Sequence, residues 1–144
     1  MLKGISPLIS PELLDVMYRM GHGDELVLAD THFPSETLGQ RVVRADGLPI
    51  AQLLDAILPL FVLDAYVEAP VIMMAVVAGD TLDRQVELDY RRPIDLHSSD
   101  GIAIERLERF QFYDRAKSAF AVVATGETRK YGNIILKKGV TPIL

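Results

Sequence analysis

His22 and His32, two of the chain's three histidines, share one short stretch with Asp24 and Asp30. Imidazoles and carboxylates are the side chains that exchange protons or ligate divalent metals near neutral pH. The stretch reads Met20-Gly21-His22-Gly23-Asp24-Glu25, then Leu26-Val27-Leu28-Ala29-Asp30-Thr31-His32-Phe33-Pro34. Glycine on both sides of His22 lets the backbone turn sharply, so the imidazole is expected to be presented rather than packed. The apolar run after it predicts a short strand that stops at Asp30, with Asp24, Leu26, Leu28 and Asp30 on one face and His32 on Asp30's side if the strand runs that far. Polar groups at a strand's ends suggest a pocket rim. A second reading stands beside it, in which Gly-His-Gly is only a turn and Asp30 caps the next segment of chain.

The other groups able to do chemistry are fewer. A metal site from His22, Asp24, Asp30 and His32 would suit zinc or iron, but nothing in the spacing makes them converge, and no metal is expected. No ligand pair at helical i, i+4 spacing, phosphate-cradling glycine loop or nucleophile elbow is present. His97, in Asp95-Leu96-His97-Ser98-Ser99-Asp100, reads as a solvated loop histidine. Arg109, in Glu105-Arg106-Leu107-Glu108-Arg109, reads as part of a charged face. In Tyr131-Gly132-Asn133, a glycine inside a strand suggests either close approach of the backbone to a ligand or a bulge.

The elements that must position these groups emerge from patterning. Ser10-Pro11-Glu12 starts a helix with Leu13, Leu14, Met17 and Met20 on one face and Gly21 at its end. Residues 35–39 read as loop, residues 40–44 as a short strand, and Asp46-Gly47 as a turn. Pro49 opens a second helix that buries Ile50, Leu53, Leu54, Ile57 and Leu58 and closes at Pro59. Residues 71–78 are wholly apolar and predict a central strand covered on both faces, ended by Gly79-Asp80. Residues 81–92 are charged enough for a surface helix or loop. A strand over 102–107 precedes a helix over 109–116 with Phe110, Tyr113 and Ala116 aligned. Strands over 120–124 and 131–136, joined through Thr125-Gly126-Glu127, are expected to form a hairpin. Interleaved strands and helices predict an α/β sandwich with a mixed sheet.

Composition narrows the function classes. A chain of 144 residues suits one domain. Its net charge of -5, without a basic run, gives no footprint for nucleic acid. No apolar run is long enough for a membrane span, no secretion signal opens the chain, and cysteine is absent, which makes the cytoplasm the expected location. Hydrophobic residues at 49% point to subunit contacts, with Phe61, Val62 and Met73-Met74 as candidates for the excess.

These motifs, in this order, resemble the family of sugar mutarotases that contains D-ribose pyranase and L-fucose mutarotase, and the chain is similar to the L-fucose branch from Met1 to Pro142. The residues that carry the resemblance include Ile5-Ser6-Pro7-Leu8-Ile9-Ser10-Pro11-Glu12, Met20-Gly21-His22-Gly23-Asp24-Glu25, Asp30 with His32-Phe33-Pro34, and Arg44-Ala45-Asp46-Gly47. Further along come Met73-Met74-Ala75, Gly79-Asp80-Thr81-Leu82-Asp83, Arg109-Phe110 with Phe112-Tyr113, and Lys130-Tyr131-Gly132-Asn133-Ile134 through Gly139-Val140-Thr141-Pro142. His32 and Arg109 fit the fucose branch better than the ribose branch; residues 97–104 match least.

The resemblance implies a three-layer α/β sandwich, His22 as proton donor, and Asp30, Arg109, Tyr131, Gly132 and Asn133 as sugar-binding residues. It also implies L-fucose as substrate, no cofactor, and a homo-oligomeric ring, commonly a decamer, with pockets at subunit contacts. Exchange of anomers requires only that a proton leave the anomeric hydroxyl while the ring oxygen gains one, and an imidazole suits that task. Asp30 can orient the imidazole or hold sugar hydroxyls, while the base is left open. Three other readings remain: D-ribose pyranase activity, a noncatalytic sugar-binding module, and a metal-dependent hydrolase or lyase using His22, Asp30 and His32.

Overall fold

In the computed structural model, which describes residues 1–143, the first helix begins where its residues dictate. Ser10 Oγ accepts the Leu13 amide at 3.1 Å, Pro11 occupies the first turn, and helix α1 (Pro11–Arg19) buries Leu13, Val16 and Met17. The chain then turns through Gly21-His22-Gly23 into strand β1 (Glu25–Ala29), where Gly23 has a φ of +88°. Leu26 and Leu28 enter one core and Val27 and Ala29 the other, so β1 is covered on both faces.

The chain continues through α2 (Ser35–Leu38), β2 (Val42–Ala45), α3 (Ile50–Ile57), β3 (Val71–Met74), α4 (Arg84–His97), β4 (Ile104–Leu107), α5 (Arg109–Ser118), β5 (Ala121–Thr125) and β6 (Ile134–Lys137). The strands make one mixed sheet in the order β2-β5-β1-β6-β3-β4. β6 runs antiparallel to β1 and β3; the other neighbours are parallel. The buried residues of α1, α3 and α4 join one core, and Phe112 and Ala116 of α5 join the other, with Leu38 of α2 packed against it. The result is the expected three-layer α/β sandwich.

Several expectations are corrected. β5 and β6 are not a hairpin, because β1 lies between them and pairs with both. Both strands are continuous apolar runs, which carry no register signal to say which neighbour they take. β3 ends at Met74 rather than at Ala78 and lies one strand in from the edge; Val76 and Val77, 38% and 37% exposed, belong to the loop after it. Residues 35–38 are a short helix and not a loop. On α5 the buried pair is Phe112 and Ala116, four residues apart, while Phe110 points outward. His97 is exposed as expected, but it ends α4, where its Nε2 lies 3.4 Å from Asp55 Oδ1. Phe61, Met73 and Met74 are buried within the chain, so they are not the apolar excess; Tyr18, Tyr66, Leu88, Leu96 and Phe110 are among the large apolar groups left outside.

Candidate active site

Three strand ends and one helix start meet in a cleft of about 450 Å³. The end of β1 brings Asp30, His32 and Phe33. The loop after β3 brings Val77 and Asp80, the first residues of α5 bring Arg109 and Tyr113, and the turn into β6 brings Lys130, Tyr131 and Asn133. Crevices outside the carboxyl ends of sheet strands are where α/β folds hold ligands. A smaller hollow of about 240 Å³ shares Asp30 and Phe33 but none of Arg109, Tyr131 and Asn133.

Within the cleft, polar groups are fixed from behind. The Asp30 amide donates to Asn133 Oδ1 at 2.7 Å, and the His32 amide donates to Asp30 Oδ1 at 2.9 Å. Burial pushes the Asp30 carboxyl above its ordinary value of 3.8, although the His32 and Phe33 amides and the His32 side chain work against it. The Tyr131 hydroxyl donates to Asp80 Oδ2 at 2.6 Å and accepts the Val77 amide at 3.4 Å. That phenol first, and the Thr81 amide next, hold the Asp80 carboxyl below its ordinary value. The Arg109 guanidinium lies 5.1 Å and 5.7 Å from the ring centroids of Phe110 and Tyr113, and Tyr113 meets Phe33 edge to face.

The turn that carries Tyr131 and Asn133 is braced by a polar network inside the sandwich. Buried Tyr90 of α4 donates to the Gly132 carbonyl at 2.8 Å, and Arg129 grips both oxygens of buried Glu127 at 2.9 Å and 3.1 Å while reaching Asp89 at 2.6 Å. Tyr131 is held at a φ of +57°, the one positive value at a non-glycine residue among those described. Such backbone persists only where its surroundings over-determine it. Gly132 is buried behind the cleft wall: a Cβ there would sit 3.0 Å from the Arg129 carbonyl oxygen and Glu127 Cγ, and 3.1 Å from the Tyr90 hydroxyl. Its smallness serves packing on Tyr90, and it lies just before β6 rather than inside a strand.

His22 is elsewhere. It precedes β1 while Asp30 comes after it, and five residues of extended chain span about 17 Å. One chain therefore does not bring His22 to the cleft, and His22 with Asp24 stands apart from Asp30 and His32. Among the described residues, no three His, Asp or Glu side chains are grouped to hold a metal ion. Asp24 closes the turn itself, its Oδ2 accepting the Gly21 amide at 2.7 Å.

The partner of His22 is Asp64, a residue that sequence patterning did not single out. His22 Nε2 lies 3.1 Å from Oδ1 of this buried carboxylate, and the imidazole rests 5.3 Å from the Tyr66 ring. Burial pushes the Asp64 carboxyl up, but the Tyr66 amide and His22 outweigh it and leave the carboxyl below its ordinary value. With Nε2 directed at a carboxylate, Nδ1 is free for proton exchange. The available signal is a lone carboxylate in the apolar run Phe61-Val62-Leu63-Asp64, since such a group needs a partner once buried. Asp80, which the sequence marks as the end of a strand and as part of a family motif but not as a site residue, also belongs to the cleft.

The sequence pattern of the RbsD / FucU transport protein family matches residues 3–141. The chain is 60% identical to an L-fucose mutarotase of Glaesserella parasuis, across 100% of this chain and 99% of that protein. It is 59% identical to an L-fucose mutarotase of Actinobacillus pleuropneumoniae, across 99% of each. Its fold superposes on the crystal structure of the fucose mutarotase in complex with L-fucose from Streptococcus pneumoniae with a TM-score of 0.93, at 48% identity, over 98% of this chain and 100% of that one.

Proposed function

Because the chain belongs to the RbsD / FucU transport protein family, we infer that it is an isomerase that interconverts the α and β anomers of L-fucopyranose. The observation that carries this reading is the make-up of the cleft in a chain 60% identical to an L-fucose mutarotase. Asp30, Arg109, Tyr131 and Asn133 offer donors and acceptors for sugar hydroxyls, and Phe33, Met74, Val77 and Tyr113 offer an apolar wall for the methyl group and C–H faces of a 6-deoxy sugar.

The chemistry is acid-base exchange. His22 protonates the ring oxygen as the anomeric hydroxyl loses its proton, the bond between C1 and the ring oxygen breaks, and the open aldehyde recloses on its other face. Asp64, and not Asp30, orients the imidazole, while Asp30 with Asn133 holds sugar hydroxyls. Since His22 and the cleft lie at opposite ends of β1, His22 serves the cleft of a neighbouring copy in a ring-type homo-oligomer, expected to be a decamer. Tyr66, 78% exposed beside His22, and Tyr18, 90% exposed near the end of α1, are apolar groups such a contact would cover. No described helix is long and apolar enough to cross a membrane; the cytoplasm remains the proposed location.

Saturation-transfer NMR on an L-fucose solution tests the function. The protein is expected to accelerate magnetisation exchange between the two anomers, and to do so faster than it exchanges D-ribopyranose. No acceleration would reduce the chain to a sugar-binding module, and faster exchange of D-ribose would move it to the pyranase reading.

A further inference from the structure

Beside His22 stands a large side chain that the chain's own core leaves out. Tyr66 is 78% exposed, and its ring lies 5.3 Å from the imidazole, tilted by 50°. We propose that Tyr66 enters the neighbouring copy's cleft together with His22 and lies against the C–H face of the bound sugar, a substrate-binding residue supplied by the copy that supplies the acid. This rests on the anomer-exchange reading and on the shared site.

One carboxylate oxygen sets both side chains. Asp64 Oδ1 lies 3.1 Å from His22 Nε2 and accepts the Tyr66 amide at 3.0 Å, so the imidazole and the backbone of the tyrosine are held by the same atom. Asp64 is buried, whereas residues 65–68 are all exposed, so the chain emerges at the surface just where Tyr66 stands. Whatever His22 is carried to, Tyr66 is carried to as well. With the imidazole within hydrogen-bond reach of a ring oxygen, an aromatic ring 5.3 Å away stands beside the same sugar, at a separation close to the width of a pyranose ring.

The cleft has a use for such a ring. Its rim residues His32, Asp80, Arg109 and Lys130 are exposed, so a sugar held there by one chain alone keeps a side toward water. Small-molecule sites bury most of the ligand's surface, and closing the site keeps water from the open aldehyde. The cleft's own apolar side chains, Phe33, Met74, Val77 and Tyr113, cover part of the sugar, and the open side remains for the neighbour. Tyrosine suits it: the flat apolar face meets C–H groups while the hydroxyl stays in water. With only two side-chain torsions to order, the ring also gives a large contact at little entropic cost.

Substitutions at Tyr66 separate a ring that covers substrate from one that only seals subunits. Anomer exchange is read by saturation-transfer NMR over a range of L-fucose concentrations, and assembly by light scattering. Tyr66→Phe should leave KM near the wild-type value. Tyr66→Leu and Tyr66→Ala, in assemblies of unchanged size, should raise KM by roughly 10-fold with a smaller change in kcat. Mixed assemblies then report which cleft the ring serves. Tyr66→Ala mixed with Tyr131→Phe should restore the wild-type KM in about one quarter of sites, whereas Tyr66→Ala mixed with His22→Ala should restore it in none, because His22 and Tyr66 arrive on the same copy. An assembled Tyr66→Leu protein with wild-type KM, a Tyr66→Phe protein as weak as Tyr66→Ala, dissociation of both Tyr66→Leu and Tyr66→Ala, or recovery with His22→Ala would overturn the assignment while leaving the proposed function standing. Wild-type protein that fails to accelerate exchange overturns the functional reading, and this assignment with it.

Discussion

His22 has the geometry of a proton donor held by one buried partner: the imidazole is half-exposed between glycines, and Asp64 at 3.1 Å fixes which nitrogen faces out. Removing the ring costs little packing, so His22→Ala should fold normally and lose on the order of 10²- to 10⁴-fold in anomer exchange. Asp64→Asn should fold as well but lose activity by a smaller factor, because the amide can still bond Nε2 and orient the ring. Rate measurements by saturation transfer, with circular dichroism as the check on folding, decide both. A fully active, folded His22→Ala protein would remove the acid assignment.

Among the elements, β6 connects the two halves of the chemistry. Its entry turn holds Tyr131 and Asn133 in the cleft. Its far end holds the turn of the proposed acid, His22: the Lys138 carbonyl accepts the Gly23 amide at 2.8 Å, the Lys137 carbonyl accepts the Asp64 amide at 3.0 Å, and the Gly139 amide donates to the Val62 carbonyl at 2.7 Å. A Cβ on Gly139 would stand 2.7 Å from the Leu63 carbonyl oxygen and 2.9 Å from Asp64 Cα, both backbone atoms that cannot swing away. Gly139→Ala should therefore destabilise the protein by about 1–3 kcal/mol and slow anomer exchange by shifting Asp64. Thermal melts and rates check it; an unchanged melting temperature would mean the segment yields easily.

Element identity was largely legible in the residues themselves. Ser10-Pro11 and Pro49 marked helix starts, and Gly21-His22-Gly23 marked a turn, because local chemistry alone fixes those features. The order of strands was not, since β1, β3, β5 and β6 are all apolar runs whose neighbours are chosen by tertiary packing. Asp64 and Asp80 stayed hidden for a related reason: their partners, His22 and Tyr131, lie 42 and 51 residues away along the chain.

Stability of the folded chain depends on pH in a defined direction because of the ion pair behind the cleft, in which Glu127 is buried and Arg129 partly exposed. Burial raises the Glu127 carboxyl, but Arg129 lowers it more, so the folded state holds it below its ordinary 4.5. Its contribution is complete above 4.5 and is shed as pH falls through the lower folded value. Glu127→Gln should cost about 1–2 kcal/mol at neutral pH, since Arg129 is partly exposed and keeps Asp89, and should flatten the loss of stability on acidification. Denaturant melts from neutral pH downward measure this; an acid limb as steep as the wild type's would locate the titration elsewhere.

In the proposed assembly, each site combines the acid of one copy with the cleft of another. Mixing His22→Ala and Tyr131→Phe subunits probes that arrangement directly, since each variant alone is expected to lack a working site. In rings verified to be mixed, equal proportions should leave about one quarter of sites with both an intact acid and an intact cleft, and anomer exchange of L-fucose should return to that extent. Verified mixed rings that stay inactive would overturn the shared site.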